Sequence, residues 1–508
     1  MGMMYHSTRN KSLVVSDAQA ILQGLAPDGG LFVPEKIPTC PFRSWLGLSF
    51  AEVAERIFGI YFPSLGEQRI ARVVKNAYSG RFRHKAVCPV RILSDRRALL
   101  ELWHGPTLAF KDVALSALPH LMQAAQEVTD DHERVLILTA TSGDTGKAAM
   151  EGFSDVPGFG VLVFYPADGV SEAQERQMCT TEANNVFAYA MEGNFDDCQR
   201  TVKQLFQDVA LSNSLKAQGI RLSSANSINI GRLVPQMVYY ITAYYELVAS
   251  GELTYGDLLD VSVPTGNFGD LLAGYYVKRM GLPLGKLVVA SNSNHVLTDF
   301  GQTGVYDCRR ELMLTSSPSM DILVSSNLER FLYHELGDAE VIKTLMKSLQ
   351  KDHCFVLPSP VDKNDGRVGD TVLGDRKELY WGYAKEEEVQ QIIAETAEQD
   401  TMVIDPHTAC GVAVYRKYRR EETKGRDGAS YGLILSTASP YKFTETVLSA
   451  LHEAVPETLE EQWKALSQIS HTPVPDPFLH LMERKARKAC RLRLSDASDA
   501  VLSFARGV

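Results

Sequence analysis

Between about residues 98 and 290 the chain alternates short runs of strand-forming residues with longer segments whose apolar residues recur at helical spacing. Residues 98–103, 135–139, 160–165, 186–191, 221–225, 259–263 and 286–290 read as strands. Residues 113–125, 146–153, 172–182, 198–209 and a long segment from about 230 read as helices. Strands this short, each followed by a helix, point to parallel pairing with helices covering both faces of the sheet. The fold class expected is therefore α/β with mainly parallel sheets. In such sheets ligands sit beyond the C-terminal strand ends, so the loops after strands deserve the closest reading.

The 508 residues exceed one ordinary core, and two or three domains are expected. Before the alternation, Asp28-Gly-Gly30 reads as a turn into a short strand at 31–34, and 50–58 has helical spacing. From about 295 to 385 the pattern weakens, and Lys363-Asn-Asp-Gly-Arg367 reads as a loop. A helix at 386–398, a strand near Met402 and a strand at 432–436 follow. The tail beyond Pro473 reads as including a helix rich in basic residues, with Arg484, Lys485, Arg487 and Lys488 on a solvated face.

A net charge of −10 and a pI near 5.7 argue against nucleic acid as the main partner. None of the eight cysteines forms a CxxC pair, so neither a zinc site nor a disulfide framework is expected. The N-terminus lacks a basic-then-apolar order, and the expectation is a cytoplasmic protein. The most apolar long stretch, 233–249, is interrupted by Gln236 and Glu246 and reads as a buried helix, not a membrane span.

Three polar motifs occupy positions after strands or at helix starts. In His104-Gly-Pro-Thr-Leu-Ala-Phe-Lys-Asp112, Lys111 opens a helix behind a tight turn. A lysine buried in a cleft loses its proton more readily and becomes a nucleophile or a proton carrier. Thr141-Ser-Gly-Asp-Thr-Gly146 offers hydroxyls and backbone donors suited to a carboxylate at a helix N-terminus. Gly266-Asn-Phe-Gly-Asp270 places glycines where a backbone must approach a phosphate closely. Each motif alone is common: a capped turn, or a lysine beside an aspartate. In this order and in this fold, they suggest a pyridoxal phosphate enzyme. Asn226-Ser-Ile-Asn-Ile-Gly-Arg232 could hold a second phosphate through Asn229 and Arg232, because arginine binds phosphate in a bidentate manner. Lys147 is a further cation near the first loop. His407, in Asp405-Pro-His-Thr408, reads as structural.

Together with Tyr5-His-Ser-Thr-Arg-Asn10, the 24–34 segment, Ser317-Pro-Ser-Met-Asp-Ile322, Ser325-Ser-Asn327 and Leu435-Ser-Thr-Ala-Ser-Pro-Tyr-Lys-Phe443, these motifs resemble the threonine synthase family. The resemblance covers most of the chain and is closer to the long-N-terminus branch of bacteria and fungi. It implies a pyridoxal phosphate enzyme of fold type II. The pattern along the chain and the division of the loops divide it into an N-terminal mixed helical domain (1–95), a large cofactor domain (96–139 and 216–470), a small substrate-closing domain (140–215) and a C-terminal helical tail (471–508). By the same resemblance Lys111 carries pyridoxal 5'-phosphate and acts in catalysis. Gly266, Asn267, Phe268, Gly269 and Asp270 surround the cofactor phosphate, and Thr437 meets the pyridine nitrogen. Thr141, Ser142, Gly143, Asp144 and Thr145 take the substrate carboxylate, with Asn229 and Arg232 on the substrate phosphate. Many fold type II enzymes have asparagine where this chain has Asp144. A charged carboxylate there would oppose the substrate's own, so a protonated or turned-away Asp144 is expected.

The implied reaction converts O-phospho-L-homoserine and water to L-threonine and phosphate, by γ-elimination and then addition of water at the β-carbon. Three other readings share parts of this pattern. A related phospho-lyase would release 2-oxobutyrate from the same substrate. A serine or threonine dehydratase would need no second phosphate site, and Arg232 and Lys147 argue against it. A non-catalytic cofactor-binding protein would have little reason to keep Lys111 together with the 266–270 loop. No nucleic-acid, membrane or metal partner is expected, and the chain reads as a monomer or homodimer.

Overall fold

Two parallel sheets form the frame of the computed structural model. It describes residues 2–141, 143–358, 378–422, 430–479, 481–487 and 490–507. The larger sheet runs Leu379–Tyr383, Leu284–Ser291, Leu259–Pro264, Tyr431–Ser436, Arg97–Glu101 and Val90–Leu93. All of its pairs are parallel except the last. Leu259–Pro264 and Tyr431–Ser436 are buried along their whole length. That is why Tyr431–Ser436 reads as a nearly continuous apolar run, whereas Leu259–Pro264 alternates and buries Asp260 and Ser262 as well. Each fully buried valine or leucine there contributes about 1.5–3 kcal/mol.

The smaller sheet runs Cys490–Leu492, Val186–Met191, Phe159–Pro166, Arg134–Ala140 and Ile220–Ser223, all parallel. It takes in Arg134–Ala140 and Ile220–Ser223, which the expected boundaries put in the large domain. It also recruits Cys490–Leu492 from the expected helical tail. The basic cluster is not on a helix: Arg487 donates to the carbonyls of Val186, Glu182 and Ala183 and so docks against this sheet. The tail's helices are instead Asp476–Leu479 and Ala497–Ala505. Lys488 lies outside the described residues.

The expected helix at 198–209 is two helices, Phe195–Gln207 and Val209–Lys216. Asp208 separates them because its side chain accepts from Leu211 N and caps the second. No strand forms at Met402. The Asp405 carboxylate accepts from His407 N and from the Thr408 hydroxyl, starting the helix Pro406–Glu422 with proline in its first turn. The weak region contains three helices, Val296–Thr303, Leu328–Leu336 and Ala339–Asp352, among its described residues. The expected loop at 363–367 lies outside them.

The N-terminal region mixes a three-stranded antiparallel sheet (Asn10–Ser16, Met4–Ser7, Phe32–Pro34) with helices that include Phe50–Tyr61 and Glu67–Tyr78. Arg330 ties it to the rest. Fully buried, this side chain donates to Phe32 O at 2.9 Å, Asn327 Oδ1 at 2.6 Å and Ile228 O at 2.5 Å. The stretch expected as a buried helix lies within Ile230–Ala249, which is buried on nearly all sides. Among the described residues no helix is long and apolar enough to cross a membrane.

Candidate active site

A cavity of about 310 Å³ opens where the loops after Arg134–Ala140, Leu259–Pro264 and Tyr431–Ser436 converge. Lys111 is the first residue of the helix Lys111–Thr129 and lines this cavity, almost fully buried. Its Nζ lies 4.5 Å from the centre of the Phe110 ring. Burial lowers the Lys111 ammonium to about 8; the Asp144 carboxylate works against this, while Arg232 and Lys442 add to it. An amine poised near neutrality is what a nucleophile or proton carrier needs.

Thr437 reaches the same cavity through a backbone junction far from Lys111 in sequence. Ala109 and Ala438 form an isolated antiparallel bridge. Phe110 N donates to Thr437 O at 2.8 Å, and Ser439 N donates to Leu108 O at 3.0 Å. Leu108 itself adopts a left-handed φ of 62° to make the turn.

The 266–270 loop enters the helix Gly269–Arg279 through Phe268, which is left-handed at φ 61°. The first backbone N–H groups of this helix have no helical acceptor and are available to an anion. Gly266, Asn267, Phe268, Gly269 and Asp270 all line the cavity. Asp270 does more than follow the turn. Its Oδ1 accepts from the hydroxyls of Tyr239 and Tyr240, while its buried Oδ2 has no partner. Burial pushes this carboxyl up to about 6 against those two hydrogen bonds and the Lys111 charge.

In the 141–146 loop, Thr141 Oγ1 accepts from Gly143 N at 2.9 Å and Gly146 N at 3.0 Å, closing the turn on itself. Gly143 has φ 148°, and a Cβ there would stand 2.3 Å from Gln174. Thr141, Asp144 and Thr145 line the cavity, and Asp144 starts the helix Asp144–Phe153. Ser142 lies outside the described residues. Of the two states expected of Asp144, the protonated one does not fit, and its carboxylate is turned to Lys442 at 2.6 Å. Burial alone would raise this carboxyl, but the Lys442 and Lys111 charges outweigh it and hold Asp144 well below the usual carboxylate range.

Of the two residues expected on a second phosphate, the structure keeps one at the cavity. Arg232 lines it, fully buried, with Nη1 on Ala225 O at 2.7 Å and Nε without a partner. Asn229 does not line it. Its Oδ1 caps the helix Ile230–Ala249 through Gly231 N, and its Nδ2 donates to Ile21 O at 3.0 Å. Helix capping consumes the polar atoms that would otherwise bind a ligand. Lys147 is likewise tied to Glu151 at 3.0 Å and Thr181 at 2.9 Å.

Sequence reading assigned no role to the residues that close the far wall. Pro318, Ser319, Met320 and Asp321 line the cavity. Ser319 Oγ donates to Asp144 Oδ2 at 3.2 Å, and His407 Nε2 accepts from Ser319 N at 3.2 Å. Asn292 and Asn294 hold this segment by donating to Asp321 Oδ1 at 2.7 and 2.9 Å. The run of polar residues at 315–321 is the only local signal. Lys442 gave a clearer one, an isolated lysine in an otherwise apolar and hydroxyl-rich stretch.

Comparison with known proteins adds an independent line. The family description "Threonine synthase N terminus" matches residues 4–78, and "Threonine synthase, C-terminal" matches residues 408–491. "Threonine synthase-like 1" of Homo sapiens is 36% identical over 92% of this chain. The chain spans 62% of that relative's length. "Threonine synthase" of Pseudomonas aeruginosa is 38% identical, covering 88% of this chain and 90% of its own. The structure of PLP-bound threonine synthase from Brucella melitensis superposes with a TM-score of 0.84 at 36% identity, covering 99% of this chain and 100% of that one. A frame of two mainly parallel sheets, a buried lysine at their junction and matches extending over nearly the whole sequence lead to one assignment: the chain belongs to the threonine synthase family, with the fold type II architecture.

Proposed function

We propose that this chain converts O-phospho-L-homoserine and water to L-threonine and phosphate, with pyridoxal 5'-phosphate held on Lys111. One observation carries the reading: a single cavity joins a buried lysine poised near pH 8 to three separate places for an anion. These are the N-terminus of Gly269–Arg279, the N-terminus of Asp144–Phe153 and the unpartnered Nε of Arg232. The substrate and cofactor together bring two phosphates and one carboxylate.

The residues present fit the cofactor. Lys111 offers an amine for the Schiff base, the 266–270 loop offers backbone donors for a phosphate, and Thr437 offers a neutral hydroxyl for a ring nitrogen. When bound, the cofactor withdraws electrons from the substrate's α-carbon, which makes protons at the α- and β-carbons removable. The Lys111 amine, whose proton affinity burial lowers, would carry those protons. Arg232 remains cationic and holds the departing phosphate. The 141–145 loop orients the substrate through its carboxylate. The wall at Pro318–Met320 limits the entry of bulk water.

The test is product analysis with O-phospho-L-homoserine. Threonine and phosphate in equal amounts support the reading. Phosphate with 2-oxobutyrate and no threonine would assign a phospho-lyase instead.

A further inference from the structure

Asp144 raises a problem for any anion that docks at its helix. A carboxylate in the first turn would repel a substrate carboxylate brought to the same backbone donors. The neighbourhood of Asp144 answers this. Lys442 Nζ lies 2.6 Å from Asp144 Oδ1 and also donates to Thr107 O at 2.8 Å. Gln174 Nε2 donates to the same Oδ1 at 3.2 Å, and Ser319 Oγ to Oδ2 at 3.2 Å. Both carboxylate oxygens are therefore engaged. The Asp144 and Lys442 side chains are 3% and 1% exposed. Asp144 lines the cavity, and Lys442 is not among the lining residues.

We propose that Lys442 is a positioning residue: its ammonium cancels the charge of Asp144 and pins the carboxylate away from the ligand, so that the helix N-terminus can accept the substrate carboxylate. The inference rests on the functional reading above, which docks a carboxylate there. It deepens that reading by making carboxylate recognition depend on a residue that never touches the substrate. Two further features support it. The pair is built from different parts of the chain, with Asp144 on the helix after Arg134–Ala140 and Lys442 in the turn after Tyr431–Ser436. Without Lys442, Asp144 would lose the cation in direct contact with it and keep only the hydrogen bonds from Gln174 and Ser319 there.

The holoenzyme can be tested with two unreactive probes. L-Norvaline carries the amine and the carboxylate, and butylamine is the same molecule without the carboxylate. Binding of each is read from the visible spectrum. In Lys442→Met, norvaline should bind at least about tenfold more weakly, with butylamine unchanged. In the double variant K442M/D144N, norvaline binding should return to near the wild-type value. Asp144→Asn alone keeps the Lys442 charge and should bind norvaline at least as tightly as wild type. This variant carries the test if K442M does not fold. Equal weakening of both probes in K442M, no recovery in the double variant, or looser norvaline binding in D144N would overturn the inference. If wild type shows no spectral response to norvaline, the functional reading fails, and the inference with it. If wild type responds and K442M responds identically, only the inference fails.

Discussion

Phe110 N donates to the carbonyl of Thr437 at 2.8 Å, joining two segments more than three hundred residues apart in sequence. Lys111 follows Phe110 directly, so this one backbone bond sets the lysine and the hydroxyl of Thr437 on a shared frame. The main chain thus sets the start of the Lys111 helix directly beside Thr437.

The holoprotein should show a visible absorbance band that Lys111→Ala abolishes. Borohydride reduction followed by peptide mapping should place the label on Lys111. Label on another lysine would contradict the assignment.

Lys111 should also reveal its lowered affinity for protons. An exposed lysine titrates near 10.4, whereas burial brings Lys111 to about 8. Below that value the amine is protonated and does not attack, and above it the neutral form accumulates. Coupling of pyridoxal to the cofactor-free protein, trapped by borohydride, should therefore rise with pH about a midpoint near 8. A midpoint near that of an exposed lysine would show that the amine is not desolvated.

Arg232→Ala should weaken use of O-phospho-L-homoserine by about 1.5–3 kcal/mol, the worth of a charge-assisted hydrogen bond. Cofactor binding should change far less. Lys147→Ala should have the smaller effect on KM, because its ammonium is held by Glu151 and Thr181. Kinetics of the two variants side by side decide between the sites.

Asn229→Ala should act on stability and not on phosphate recognition. It removes a helix cap, which costs about 0.5–2 kcal/mol, and the bond to Ile21 O. Denaturant unfolding should show the loss. A KM for phosphohomoserine that rises as much as in Arg232→Ala would return Asn229 to the site.

Closure can be followed by hydrogen exchange. We expect norvaline to protect 140–215, which carries the substrate loop, with little change at 259–270. Equal protection of both would favour a rigid site.

The sheets and their loops were legible where a parallel strand buried on both faces writes itself as an apolar run, as in Tyr431–Ser436. Of the edge strands, Ile220–Ser223 was readable and Cys490–Leu492 was not. Cys490–Leu492 is exposed along most of its length and gains its place only by pairing with Val186–Met191. Lys111 and the 266–270 loop were readable because local turn chemistry puts them at helix starts. Asn229 was ambiguous for the same reason, since a cap and an anion ligand call for the same residue types, and in the structure it serves as a cap. Lys442 stood out in its stretch, but its pairing with Asp144 was not readable because the two lie in distant parts of the chain.

Gly152 bears on where the substrate loop sits. A Cβ at this position would stand 2.2 Å from the carbonyl oxygen of Leu115, so the helix Asp144–Phe153 crosses Lys111–Thr129 backbone against backbone. At such a crossing no side chain cushions the two backbones. The substrate loop lies at one end of a helix of 10 residues, and the crossing lies near the other. Any group larger than a hydrogen at Gly152 would push this helix off the one that Lys111 opens, and the substrate loop would shift with it.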